Sequence, residues 1–309
     1  MRQRIGAALA AAISLLVFAL LVFAARAVDA APPSAPPLWE KLAARVADVD
    51  RRLDGVLGVS IRDVKSGATL EIRAGEPFPT ASSIKVAVLY ELFRQAEEGK
   101  ADLLETTRPP LPRVGGGVLP ALGDRVSLTW RDLAILMIGW SDNEAANRLI
   151  EKVGMEAVAR RLDALALPGV RLRRKMMDLE AARRGDENVG TPVEMRKLME
   201  VAWNGVGLSP ERAADLRAVA ATAESYSEFR AALPDGVKAI TKSGELEGVR
   251  CEIAYVDLPG RPYAAAVMTK YLRRDPDGAA AIREISALLY DTFDRLARSS
   301  DLGRIISER

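Results

Sequence analysis

The chain of 309 residues contains no histidine. That excludes a Ser-His-Asp triad, a Cys-His dyad and any His-ligated zinc or iron centre. A general base would have to be Lys, Asp, Glu or Tyr. Cysteine is almost as scarce. Cys251 is the only one, so no intramolecular disulfide, thiolate cluster or CxxC pair can form. Set in a strand-like stretch, Cys251 reads as a small buried hydrophobe. Aromatic residues are 5% of the chain, too few for a base-stacking nucleic-acid platform. Neither charge dominates: 44 Lys and Arg stand against 42 Asp and Glu, a formal +2, so nothing is set up to hold a polyanion. The expectation is a protein with no metal, no cofactor and no nucleic-acid partner. What is present is an ordinary globular composition, 49% hydrophobic and 28% charged, without an internal repeat or a long low-complexity tract.

The N-terminus has a different character. Arg2 and Arg4 precede an uncharged, mostly apolar run over residues 5–25, and Arg26 ends it. Small residues follow at Ala25-Arg26-Ala27 and Val28-Asp29-Ala30, either of which suits cleavage of a secretory signal peptide. The run is also long enough to span a bilayer, so an uncleaved anchor is the alternative. Both readings put the rest of the chain outside the cytoplasm, because the positive end stays inside. The position of the one cysteine excludes a lipoprotein anchor. Residues 1–30 are thus expected to be a leader and 31–37, APPSAPP, a Pro-rich tether. Residues 38–309 would be an exported catalytic domain, periplasmic or held at the outer face of the inner membrane. The membrane would be met only through that leader, and a monomer is expected.

Residues 38–53 have helical spacing at Leu42, Val46 and Val49. Strand patterns follow at 55–64 and, after Lys65-Ser66-Gly67, at 69–73. From about 80 to 219 helical patterns dominate, at 83–98, 129–138, 144–152, 155–165 and 192–203. Strands return at 237–242, 248–257 and 263–271, and a long amphipathic helix at 278–297 closes the chain. The expected fold is α+β. Both chain ends build an antiparallel sheet flanked by helices, and an all-helical lobe is inserted between them. Such a body leaves a cleft between sheet edge and lobe.

Three short motifs lie along this frame. Ser82-Ser83-Ile84-Lys85 opens a strong helical run, and positions i and i+3 share a helix face. A hydroxyl nucleophile needs an adjacent base, and a lysine serves if burial or another cation keeps it neutral. Taken alone, Ser82 also reads as an N-cap and Lys85 as a solvated side chain. Ser141-Asp142-Asn143 lies between two helical patterns, where Ser or Asp would cap the second. Lys242-Ser243-Gly244 ends a strand pattern and alone reads as a turn. Its functional reading is a sheet-edge lysine facing the nucleophile. The motifs are 59 and 101 residues apart, and their order carries more than any one of them.

In that order and spacing the chain resembles the class A β-lactamase family, one of the serine penicillin-recognising enzymes, over residues 38–297. FPTASSIKV, SDNEAANRLIEKVG, Thr191-Pro192 and KSGELEGVR all agree with the pattern. Ser243 stands where Thr is usual, which keeps the hydroxyl. The resemblance implies that Ser82 is acylated and Lys85 is its proton-transfer partner. Ser141 would relay a proton to the leaving nitrogen, and Asn143 would bind the substrate amide or Lys85. Lys242 and Ser243 would bind the substrate carboxylate. The backbone N–H groups of Ser82 and Glu245 would form the oxyanion hole. Arg250 is one position short of where many members have a carboxylate-binding Arg, so a ligand role and a surface charge both remain open.

One departure matters. Efficient members carry a water-activating Glu two residues after an Arg, in a loop before the Thr-Pro helix start. Matching Arg174 to that Arg puts Met176 at the Glu position, and Glu180 where an Asn is expected. Methionine cannot act as a base. Either Asp178 or Glu180 reaches the water by another path, or deacylation is poor. The expected activity is opening of a β-lactam through an acyl-enzyme on Ser82. The alternatives are a D-alanyl peptidase or esterase on the same scaffold, and a non-catalytic binder of cell-wall fragments.

Overall fold

The computed structural model describes residues 37–300 and 302–306; the leader and most of the tether lie outside them. Helix α1 (Pro37–Arg52) presents Trp39, Leu42, Val46 and Val49 as one buried stripe. The chain then lays down β1 (Val56–Asp63), β2 (Thr69–Ile72) and the short β3 (Phe78–Pro79), and turns through a 3₁₀ segment, Ala81–Ile84, into α2 (Lys85–Glu97). The lobe continues with β4 (Thr106–Thr107), β5 (Leu128–Thr129), α3 (Trp130–Gly139), α4 (Asn143–Val153), α5 (Met155–Ala164), α6 (Leu179–Arg183) and β6 (Val189–Gly190). Helices α7 (Pro192–Asn204), α8 (Pro210–Ala220) and α9 (Glu228–Ala231) lead back to the sheet. Strands β7 (Lys238–Leu246), β8 (Val249–Asp257) and β9 (Tyr263–Lys270) and helix α10 (Asp275–Arg298) complete the chain.

The five long strands form one sheet in the order β2-β1-β9-β8-β7, and every pairing is antiparallel. The N-terminal β1 lies inside the sheet, between β2 and the central, C-terminal β9, with Val59 opposite Val267, so neither end of the chain can build the sheet alone. Strands β8 and β9 are buried along nearly their whole length, which requires cover on both faces. Helices α7 and α10 pack against them. Three consecutive alanines, Ala264 to Ala266, leave room for that cover. Trp39 meets Phe293 edge-on at 5.8 Å and ties α1 to α10.

Helix α2 is the axis of the lobe. Val86 to Phe93 are all buried, the mark of a helix enclosed by others. Residues expected as strands and helices fall within a few positions of the observed elements, with two differences that concern the site. The Lys242-Ser243-Gly244 motif is not a turn: β7 runs through it to Leu246. Ser82 is not the first residue of α2 but sits inside the 3₁₀ turn before it.

Gly58 shows how closely the two parts of the core are fitted. A Cβ there would lie 2.6 Å from two ring carbons of Phe78 and 2.9 Å from Pro192 Cγ, and Phe78 is fully buried. Gly58→Ala should therefore lower the unfolding free energy by about 1–3 kcal/mol through overpacking. Gly75→Ala, with open space around the same atom, should stay within about 0.5 kcal/mol. Urea titrations of both variants check this.

Candidate active site

Thr80 fixes the approach to Ser82. Its N–H and hydroxyl both donate to Asn188 O, at 2.9 and 3.1 Å. Its own carbonyl accepts from Ser83 Oγ at 2.7 Å and from Cys251 Sγ at 2.8 Å. Ala81 then takes a left-handed backbone, φ 45°, which a non-glycine residue holds only when its surroundings impose it. Ser82 itself is half-buried. Cys251 is buried as expected, and burial pushes its thiol up to about 12, so it stays protonated and donates.

Lys85 begins α2 with no exposed surface. Its Nζ lies 2.6 Å from Ser141 O, 2.9 Å from Asn143 Oδ1 and 3.2 Å from Ser141 Oγ. Three contacts match the three positions of an amine head group. Burial first, and the nearby Lys242 second, hold its pKa well below the lysine range, while Asp142 pulls the other way. Lys242 extends from β7 and is 2% exposed. Its Nζ reaches the same Ser141 Oγ at 3.2 Å and donates to Ser243 O at 2.9 Å. Burial lowers it to about 8, against the pull of Glu252, Cys251 and Glu245. One serine hydroxyl is thus shared by two buried lysines.

Asp142 holds the middle motif. Its Oδ1 caps α4 through Ala145 N at 2.8 Å, as the sequence allowed, while Oδ2 accepts from Val118 N and Leu119 N at 2.7 and 2.6 Å. Asn143 N donates to Gly116 O at 3.1 Å and its amide to Gly115 O at 3.0 Å. Between these anchors Ser141 takes φ 51°, a strained backbone that turns its hydroxyl toward both lysines. On the other wall, a Cβ on Gly244 would lie 2.6 Å from Thr80 O and 2.9 Å from Ser82 N. The glycine lets β7, an edge strand, press against the Ser82 turn. Glu245 follows it, paired with Arg250 across the ladder, and Ser243 stands opposite Glu252.

The loop between α5 and α7 is pinned at its neck. Asn188 Oδ1 accepts from Arg173 N and Arg174 N at 2.7 and 3.0 Å, and Arg174 pairs with Glu187 at 2.9 Å. Met176 is 6% exposed. The Asn147 amide clamps its backbone, accepting from Met176 N at 2.8 Å and donating to Met176 O at 3.1 Å. Asp178 and Glu180 are both exposed. The Asp178 carboxylate is used as the cap of α6, accepting from Ala181 N at 2.9 Å. The structure therefore brings Ser82, Lys85, Ser141, Asn143, Lys242 and Gly244 together and leaves the two loop acids outside that cluster.

Arg250 stands at the start of β8, next to the β7–β8 turn. Its Nη1 donates to Leu246 O and Val249 O at 3.0 and 2.8 Å. Three further residues went unnoticed in the sequence. Asn147 and Asn188 clamp the loop, and Glu252, buried and raised by burial to about 7, accepts from Ser227 Oγ and from Phe229 N. Only Asn147 had a signal, since it follows Asn143 by one helical turn. Among the described residues no group of three or more acidic, Cys or His side chains is placed to hold a metal ion.

Comparison with known proteins agrees with this architecture. The carbapenem-hydrolyzing beta-lactamase KPC of Klebsiella oxytoca is 26% identical, over 83% of this chain and 90% of that one. A crystal structure of a beta-lactamase from Sphaerobacter thermophilus is 28% identical with a TM-score of 0.74, covering 82% of this chain and 97% of that one. An ancestral (GNCA) beta-lactamase class A superposes with a TM-score of 0.76 at 26% identity, over 82% of this chain and all of that one. The model of the family described as Beta-lactamase enzyme family matches residues 39–293, from the first turn of α1 to the last turns of α10. With the family model matched over nearly the whole described domain and the fold shared with these structures, the chain belongs to the class A beta-lactamase family.

Proposed function

We propose that the protein is an exported serine hydrolase that opens the β-lactam amide through an acyl-enzyme on Ser82. The observation that carries this is the Ser141 hydroxyl held 3.2 Å from each of two buried lysines, one of them one helical turn from Ser82. Lys85, kept neutral, has a lone pair that can take the Ser82 proton as Oγ attacks the carbonyl carbon. The C–N bond then breaks, and Ser141 Oγ delivers a proton to the departing nitrogen and recovers one from the lysine side. Lys242 stays charged and, with Ser243, holds the substrate carboxylate. The oxyanion would lie between the N–H groups of Ser82 and Glu245, a turn and a strand edge brought together at Gly244.

Hydrolysis of the acyl-enzyme needs a second base, for water. Met176 occupies the position the family pattern gives to that base, and it has no proton acceptor. This favours slow deacylation, and it supports as a second reading a D-alanyl peptidase or esterase that β-lactams trap.

Three outcomes follow. A penicillin should add its whole mass to the protein, because ring opening loses no atoms, and Ser82→Ala should abolish the adduct while the fold is retained. Intact-mass spectrometry with peptide mapping reads this, and labelling of Ser82→Ala at the original rate would refute the assignment. The adduct should persist in a time course. Met176→Glu should shorten its lifetime by up to about 10²–10⁴, the usual worth of a placed general base. Rapid turnover undiminished by Asp178→Asn and Glu180→Gln would show that water is activated elsewhere.

The third outcome concerns pH. Lys242 is charged below about 8 and neutral above it, so acylation by a carboxylate-bearing substrate should fall as pH rises through that value. Lys242→Arg, charged throughout, should move this limb to higher pH. An acylation profile from pH 6 to 10 for both proteins makes the comparison.

A further inference from the structure

Arg250 is fixed in place from three sides. Besides its bonds to two carbonyls, its Nη2 lies 3.4 Å from Asp275 Oδ2, and Asp275 is itself tied down, accepting from Gly248 N at 2.9 Å. Gly278 of α10 packs over the stem: a Cβ there would come within 3.0 Å of Arg250 Cβ. Two backbone carbonyls and one carboxylate thus hold the guanidinium. Its second carboxylate partner can move. Glu245 Oε2 stands 3.7 Å from the same Nη2, on a side chain that is 67% exposed. Glu245 and Arg250 are directly opposed across the β7–β8 ladder and so share a face of the sheet.

A cavity of about 280 Å³ opens at this spot, lined by Ser243, Gly244, Glu245 and Arg250, with Glu228 and Glu252 also in its wall. Glu228 is matched by Arg283, whose Nε donates to it at 2.9 Å. Glu252 is matched by hydrogen bonds from Ser227 and Phe229. Arg250 faces two carboxylates, so its positive charge is more than cancelled. A substrate carboxylate arriving beside Ser243 would meet Lys242 from one side, and on the other an arginine already occupied.

We propose that Glu245 is a specificity-determining residue, whose carboxylate occupies Arg250 and so reduces, without abolishing, the advantage that a carboxylate next to the scissile amide, held by Lys242 and Ser243, gives an acyl donor. This rests on the acyl-enzyme reading above and refines its substrate preference. Glu245 thereby has two separate parts in the site: its N–H serves the oxyanion, and its side chain sets the charge of the neighbouring subsite.

A matched pair of probes isolates the effect, because benzylpenicillin and its methyl ester differ at that carboxylate alone. The readout is the ratio of their acylation rate constants at Ser82, acid over ester, by intact-mass spectrometry. Glu245→Gln should raise this ratio roughly two- to fivefold at low salt, the range an exposed charge at this separation supports. The gap between the two proteins should narrow at high ionic strength. A ratio unchanged by Glu245→Gln, with both probes still labelling Ser82, would overturn the proposal and leave the acyl-enzyme reading standing. A gap that salt does not narrow would also overturn it, since the effect would then not be one of charge. Failure of both probes to label Ser82 in the unmutated protein would overturn the acyl-enzyme reading and the proposal with it.

Discussion

Taking an ammonium group out of water costs several kcal/mol unless its protons meet acceptors and its charge is matched. Lys85 has the first remedy but only part of the second. It has three close oxygen contacts, yet the nearest other cation, Lys242, makes its charge less tolerable. Burial and Lys242 thus push Lys85 toward the neutral amine, the form in which a lysine beside a serine could act as a base. Much of the surrounding structure serves this one arrangement. The buried Asp142 braces the Ser141 turn, the strained φ of Ser141 aims the hydroxyl, and the enclosed α2 keeps water away.

The second lysine behaves differently because its neighbours do. Lys242 is as deeply buried, but Glu252 across the sheet restores part of its affinity for a proton. In return Lys242 lowers Glu252, although burial wins there and leaves the carboxyl raised. Both lysines are lowered by burial, each against the pull of carboxylates: Asp142 for Lys85, Glu252 and Glu245 for Lys242. Glu252 lies on β8, which contributes no residue to the motifs themselves.

Much of this was legible in the sequence. The absence of histidine forced the base to be found among few residue types, and helical spacing located Ser82 and Lys85 on one face. The strand patterns at both chain ends implied a shared sheet, since neither end had enough strands alone. What the sequence hid depended on distant partners. Gly244 reads as a turn residue, yet its missing Cβ makes room for Ser82 N inside a continuous strand. Asn188 looks like loop composition, and its carbonyl is the acceptor for Thr80, 108 residues earlier. Positive φ at Ala81 and Ser141 is invisible by residue type, because the surrounding fold imposes it. Asp178 and Glu180 have the chemistry of a base, and their exposure is not readable in one dimension.

The clamp on Met176 uses only backbone atoms. Asn147 bonds the N–H and carbonyl of that residue and makes no demand on its side chain. The backbone bonds fix where position 176 points, and the apolar packing around it limits what it can carry, because Met176 belongs to the buried core. In an evolving lineage the bonds that hold the loop would survive an exchange at that position, while a charged side chain there would have to find a partner or a path to water. The boundary between an enzyme that keeps its acyl group and one that sheds it need not be a boundary between folds.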